Sequence, residues 1–192
     1  MPSPQKQKGS SFEREIAKFL SDTYSESFIR APGSGAYVGG KNQSRKTFLH
    51  ENQIRSFKGD IVPGQSFINF NAECKNYADF PFHLLLTGEC TVIDAWLSQL
   101  MAVAEPKDVN ILFMKFNRKG RYVAVQCQLT WKIDNFIFYG SKKLGDWYII
   151  KFEHFFTHNK DILKAYSGDS QIINSGTISI PTTSFLQTLN IN

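Results

Sequence analysis

"INFNAECKNY", residues 68–77, is the stretch on which the reading of this chain turns. Ile68, Phe70, Ala72 and Cys74 alternate with Asn69, Asn71, Glu73 and Lys75, the period of two expected of a strand with one buried face. The polar positions end on a carboxylate and an ammonium two residues apart. A solvated sheet face accounts for an isolated E-x-K, so its meaning depends on what else the chain places nearby.

Of 192 residues, 42% are hydrophobic and 14% aromatic, which is enough apolar material for the core of one globular domain. Disorder is expected only at the polar start, "MPSPQKQKG". No apolar run reaches bilayer length, and the N-terminus lacks the charged-then-apolar layout of a secretory signal. Cys74, Cys90 and Cys127 are odd in number and show no C-x-x-C spacing, which argues against a disulfide framework and a cysteine zinc site. The expected setting is a reduced cytoplasm.

The formal net charge is +5, and its distribution says more than its size. Residues 1–26 and residues 59–192 each balance their acids and bases. The whole excess lies in residues 27–58, where Arg30, Lys41, Arg45, Lys46, Arg55 and Lys58 face one acid, Glu51. Such a block is the usual footprint of phosphate binding; a merely solvated loop is the alternative.

Phe12, Ile16, Phe19 and Leu20 recur at helical spacing, so an amphipathic helix is expected from about Ser10. Ser10 and Glu13 also fit the capping box S-x-x-E, which offers Glu13 a structural role. "APGSGAYVGGKNQSRK" reads as a basic, glycine-rich loop; its G-x-G-x-x-x-G spacing is a poor match to a dinucleotide fingerprint. "KGDIV" then leads into Pro63-Gly64, and a hairpin there would run Asp60 antiparallel to the strand of Glu73. Val92, Trp96, Leu100 and Val103 share one face of a helix expected to cover the sheet. "VNILFMKF", "YVAVQCQLTW", "FIFY", "WYIIKF" and "GTISIPTT" read as further strands, with a helix near "KDILKAY".

If the first helix packs on this sheet, Glu13, Asp60 and Glu73 converge, with Lys75 beside them. Three carboxylates repel one another unless a cation joins them. Oxygen ligands without His or Cys suit Mg²⁺, or Mn²⁺ as a substitute. Such an ion polarises a phosphodiester and activates water, while a neighbouring lysine orients the nucleophile or stabilises developing charge.

In this order along the chain, "KGSSFEREI", "RAPGSG", "GDIV" and "AECK" resemble the signature segments of the archaeal-type Holliday junction resolvases, a family of the PD-(D/E)XK nuclease superfamily. The resemblance covers the first half of the chain. It implies a restriction-endonuclease-like α/β fold, a mixed central sheet flanked by helices. It also implies metal ligation by Asp60, Glu73 and the Cys74 carbonyl, with Glu13 as an additional acid and Lys75 as the catalytic lysine. Arg30 matches the arginine before the family's flexible loop, and Ser34 the loop serine. The expected activity is Mg²⁺-dependent cleavage of branched DNA, four-way junctions above all, by a cytoplasmic, nucleoid-associated homodimer; origin in a virus or phage stays open. The chain departs from that pattern in two places: 24 residues separate Gly35 from Asp60, and Gly59 stands where proline is common.

Residues 1–192 are thus read as a single nuclease domain, with a basic insert at 36–58 and a C-terminal elaboration from about 132. A restriction-like or homing-type endonuclease on the same core is the alternative enzyme, and a non-catalytic DNA-binding protein the alternative class. His154 and His158 have the spacing of a helical metal pair but no evident third ligand. Gln99 reads as a buried structural glutamine or as a companion of the metals. Arg118, Lys119 and Arg121 form a basic turn that either touches DNA or is simply solvated, and the Phe-rich stretches 136–138 and 152–156 read as core or dimer surface.

Overall fold

A computed structural model describes residues 4–32 and 58–168. Helix α1 (Pro4–Tyr24) leads into a two-residue strand β1 (Ile29–Arg30), and β2 (Ile61–Val62) pairs with it antiparallel. Strand β3 (Phe70–Tyr77) is followed by a 3₁₀ turn (Phe82–Thr87) and helix α2 (Thr91–Met101). Strands β4 (Val109–Phe116), β5 (Gly120–Gln126), β6 (Phe136–Ser141) and β7 (Gly145–Lys151) then precede helix α3 (Phe152–Ser167). The main sheet has the order β3-β4-β5-β7-β6. Its first pair is parallel, joined by the α2 crossover, and the other three pairs are antiparallel. This is the mixed α/β sheet flanked by helices that the sequence implies.

Period-two alternation divides the side chains between two cores. Phe70, Ala72 and Cys74 join Ile111, Phe113, Val123 and Ile150 under α1 and α3. Leu112, Met114, Phe116, Ala124 and Ile149 pack on the other face against Trp96, Leu97 and Leu100 of α2. A buried amide chain fixes α2 to the sheet: Asn71 Nδ2 donates to Leu100 O at 3.0 Å and to Asn110 Oδ1 at 2.7 Å. Residues 136–167 extend this same sheet and share both cores, so the later half of the chain is integral to the described fold.

Two local expectations are corrected. Helix α1 begins at Pro4, which puts Ser10 well inside it; the capping box therefore dissolves, and Glu13 is a mid-helix residue. The Pro63-Gly64 hairpin does not form either. Residues 65–69 interpose turns, and the ladder partner of β2 is β1, with Arg30 opposite Ile61.

Candidate active site

Asp60 reaches β3 through single backbone bonds rather than a ladder. Its N–H donates to Ala72 O at 2.8 Å, and its own carbonyl accepts from Ala31 N–H at 2.8 Å. Gly59 makes this approach sterically feasible. Its φ is +67°, and a Cβ there would lie 2.4 Å from Ala72 O, so a side chain meets both conformational strain and a backbone clash. The Asp60 carboxylate then turns back onto β3, where Oδ2 accepts from Cys74 N–H at 2.9 Å. Ala72 and Cys74 therefore direct their main-chain groups away from β4, towards Asp60. Because N–H and C=O of one strand residue point to the same side, the Cys74 carbonyl faces this edge too.

Glu73 and Asp60 are 2% and 4% exposed. Burial pushes the Glu73 carboxyl up to about 7; the Asp60 charge adds to the rise and Lys75 opposes it. Burial also raises Asp60, opposed first by the Cys74 N–H bond and reinforced by Glu13. Burial thus disfavours the charged form of both carboxyl groups, and the charge of Asp60 adds to the rise at Glu73. Two buried acids side by side repel when both are charged, and a cation between them relieves that cost.

Lys75 Nζ donates to Glu73 Oε1 at 2.6 Å and to Gln99 Oε1 at 2.7 Å. Gln99 is exposed on the rim of α2, whereas its helix neighbours Trp96 and Leu100 are buried. The reading of Gln99 as a buried structural residue is thereby corrected: it orients the lysine. Glu13 is mid-helix on α1, close enough to raise Asp60, but its Oε2 is occupied by Arg30 Nε. Among the described residues, no set of three His, Cys, Asp or Glu side chains is arranged to hold a metal ion. Glu13 thus lies near enough to act on Asp60 while paired with Arg30. The donor set still fits a hard divalent cation. Asp60 and Glu73 would hold it with the Cys74 carbonyl, and its charge would offset the cost of two carboxylates buried together.

Lys58 departs from expectation. It is 5% exposed, with Nζ 2.5 Å from Asp108 Oδ2 and 3.6 Å from Glu105 Oε2, so its charge is neutralised inside the fold instead of facing a phosphate. Ser34, Lys41, Arg45, Lys46 and Arg55 lie outside the described residues, as does "GTISIPTT". On the β4–β5 turn, Lys119 is 2.5 Å from Asp79, and Arg121 bonds both Glu15 and Glu153. His154 and His158 have ring centroids 5.0 Å apart, and His154 lies beside Asp134, with no metal-binding set around them among the described residues.

Against known proteins, one family model matches residues 4–165, that of the family described as "Phage putative PDDEXK endonuclease". No curated protein and no solved structure matches the chain. The matched span runs from the first helix through α3 and contains Asp60, Glu73 and Lys75. It also contains the basic segment between Gly35 and Asp60.

Proposed function

Since the chain belongs to this phage PDDEXK endonuclease family, we propose that it is a Mg²⁺-dependent endonuclease whose preferred substrate is a four-way DNA junction. The observation that carries the chemistry is the buried Asp60–Glu73 pair with Lys75 fixed against it. Mg²⁺, when bound, would polarise the scissile phosphodiester and lower the pKa of a coordinated water.

The chain's own residues do the rest. Asp60 is locked by Cys74 N–H, so its ligand oxygen is set before substrate arrives. Glu73, in its ionised form, would be the second carboxylate ligand. Lys75, held by Glu73 and Gln99, would present Nζ to the phosphate or the attacking water. Arg30 balances Glu13 behind the pair, which limits the negative field that would repel DNA.

Ser34, Lys41, Arg45, Lys46 and Arg55 supply the DNA contacts in this reading, through a block whose charge excess is local to residues 27–58. Junction preference rests on the order of the four segments around Glu13, Arg30, Asp60 and Glu73. Paired nicks across a two-fold junction call for a two-fold homodimer, since the described residues of one chain hold one such carboxylate pair. The setting is the cytoplasm of a phage-infected cell. The test is cleavage of a labelled four-way junction beside linear duplex of the same sequence. Symmetric paired cuts in the junction support the reading, and sequence-specific cutting of duplex would replace it with a restriction-like or homing-type enzyme.

A further inference from the structure

Strand β6 closes the end of the sheet opposite the catalytic edge. Its inner side is paired with β7 throughout Phe136–Ser141, and no other described residue makes a backbone hydrogen bond to its outer side. An unpaired edge usually carries charge, a bulge or proline to discourage pairing. Here the six residues are FIFYGS. Phe136 and Phe138 are 45% and 53% exposed, on the face that also holds Tyr148. Tyr139, by contrast, is fully buried beneath the 3₁₀ turn side of the sheet. The edge is therefore apolar, regular and open.

From this edge we infer that the chain self-associates by antiparallel pairing of β6 with β6 of a second copy, centred on Phe138. The register argues for a second copy as the occupant. Antiparallel self-pairing about Phe138 sets Phe138 opposite Phe138 and Phe136 opposite Gly140. It sets Asp134 opposite Lys142, and every pair recurs on the other side of the two-fold axis. Charges thus meet with opposite sign twice. Asp134 and Lys142 are exposed, at 74% and 82% of their side-chain surface, and each is engaged only at the surface, with His154 and Glu89 respectively. Each aromatic meets either its twin or a glycine, and an aromatic laid across a strand glycine covers backbone that would otherwise face water. Antiparallel self-pairing about Phe138 sets residues of like face opposite one another, so Ile137 and Tyr139 of each copy stay on the packed face.

This surface deepens the homodimer of the proposed function and rests on different residues. The two sheets would join into one of ten strands. The Asp60–Glu73 pairs would sit at its two outer rims, on the order of 40 Å apart along the sheet, and each protomer keeps a complete site. The interface is small beside a standard one of about 800 Å² per partner, so a dissociation constant in the micromolar range is expected.

Sedimentation velocity of the full chain from about 1 to about 200 µM tests the pairing. The wild type should pass from monomer to dimer within that range. Lys142→Asp, which places acid opposite Asp134, should weaken association about tenfold, and the swap Asp134→Lys with Lys142→Asp should restore it. Phe138→Lys should leave a monomer whose melting temperature matches that of dilute wild type. A wild type that stays monomeric, a dimer untouched by Phe138→Lys, or a swap no better than the single change would overturn the pairing. Loss of cleavage with association intact would count against the nuclease reading alone.

Discussion

Metal-free protein should lose stability as pH rises from about 4.5 to about 7, and Glu73→Gln should remove most of that loss. The sign follows from the direction of the shift. An acid whose folded pKa is raised holds its proton in the native state where the unfolded chain has released it. Its stabilising contribution is whole below the unfolded value and disappears as pH climbs through the folded one. For Glu73 the rise runs from 4.5 to about 7, caused first by burial and then by Asp60. That corresponds to about 3 kcal/mol, a large share of a typical domain's total. Denaturant unfolding in EDTA across this window, wild type beside Glu73→Gln, reads the contribution of Glu73 together with its coupling to Asp60, because the groups away from the pair are common to both. The lowered acids Glu26, Glu153 and Asp134 cancel in the difference. Mg²⁺ at pH near 8 should return the lost stability to the wild type and little of it to the variant. Parallel curves for the two proteins in EDTA would refute a Glu73 carboxyl raised by burial beside Asp60.

Gly59→Ala should abolish cleavage through displacement of Asp60, since its Cβ would stand 2.4 Å from Ala72 O; full activity on any DNA substrate would contradict this. Lys58→Ala should destabilise the fold by about 3 kcal/mol by leaving the buried Asp108 without that counter-ion, held by the Glu105 N–H, and the salt dependence of DNA binding should not change. A lowered salt slope with normal stability would return Lys58 to the DNA surface. Neutralising Lys41, Arg45 and Lys46 together should flatten the log–log salt dependence of binding by about three, and an unchanged slope would remove those residues from the interface.

Much of this arrangement was legible in the sequence, for reasons that differ by element. The alternation through Phe70–Lys75 located β3, and "VNILFMKF" coincides with β4, because both strands carry a continuous side-chain pattern set by packing. Asp60 was placed next to Glu73 but by the wrong route. Pro63-Gly64 looks like a hairpin turn locally, whereas the partner of Ile61 is Arg30, 31 residues earlier and beyond any local signal. Lys58 was counted in a basic block because sequence counting sees neighbours along the chain, and its acid, Asp108, arrives from the loop before β4. Gln99 was visible as a polar residue on the apolar helix "TVIDAWLSQLM". Its exposure on the rim depends on how α2 is rotated, which the buried Asn71–Leu100 bond fixes. The open edge at Phe136 and Phe138 could not be told from core, since the same Phe-rich pattern at Phe152–Phe156 is buried.

The central claim is that Asp60 and Glu73 form the cation site of a DNA-cleaving centre. The most direct measurement is nicking of a labelled four-way junction in Mg²⁺ and in excess EDTA, for wild type, Asp60→Asn and Glu73→Gln, each also assayed for DNA binding. The account predicts cleavage by the wild type in Mg²⁺ only. Both variants should bind DNA at least as tightly while cutting it a thousandfold or so more slowly, as loss of an electrostatic catalytic group does. Cleavage by the wild type in EDTA, or by either variant at the wild-type rate, would contradict it.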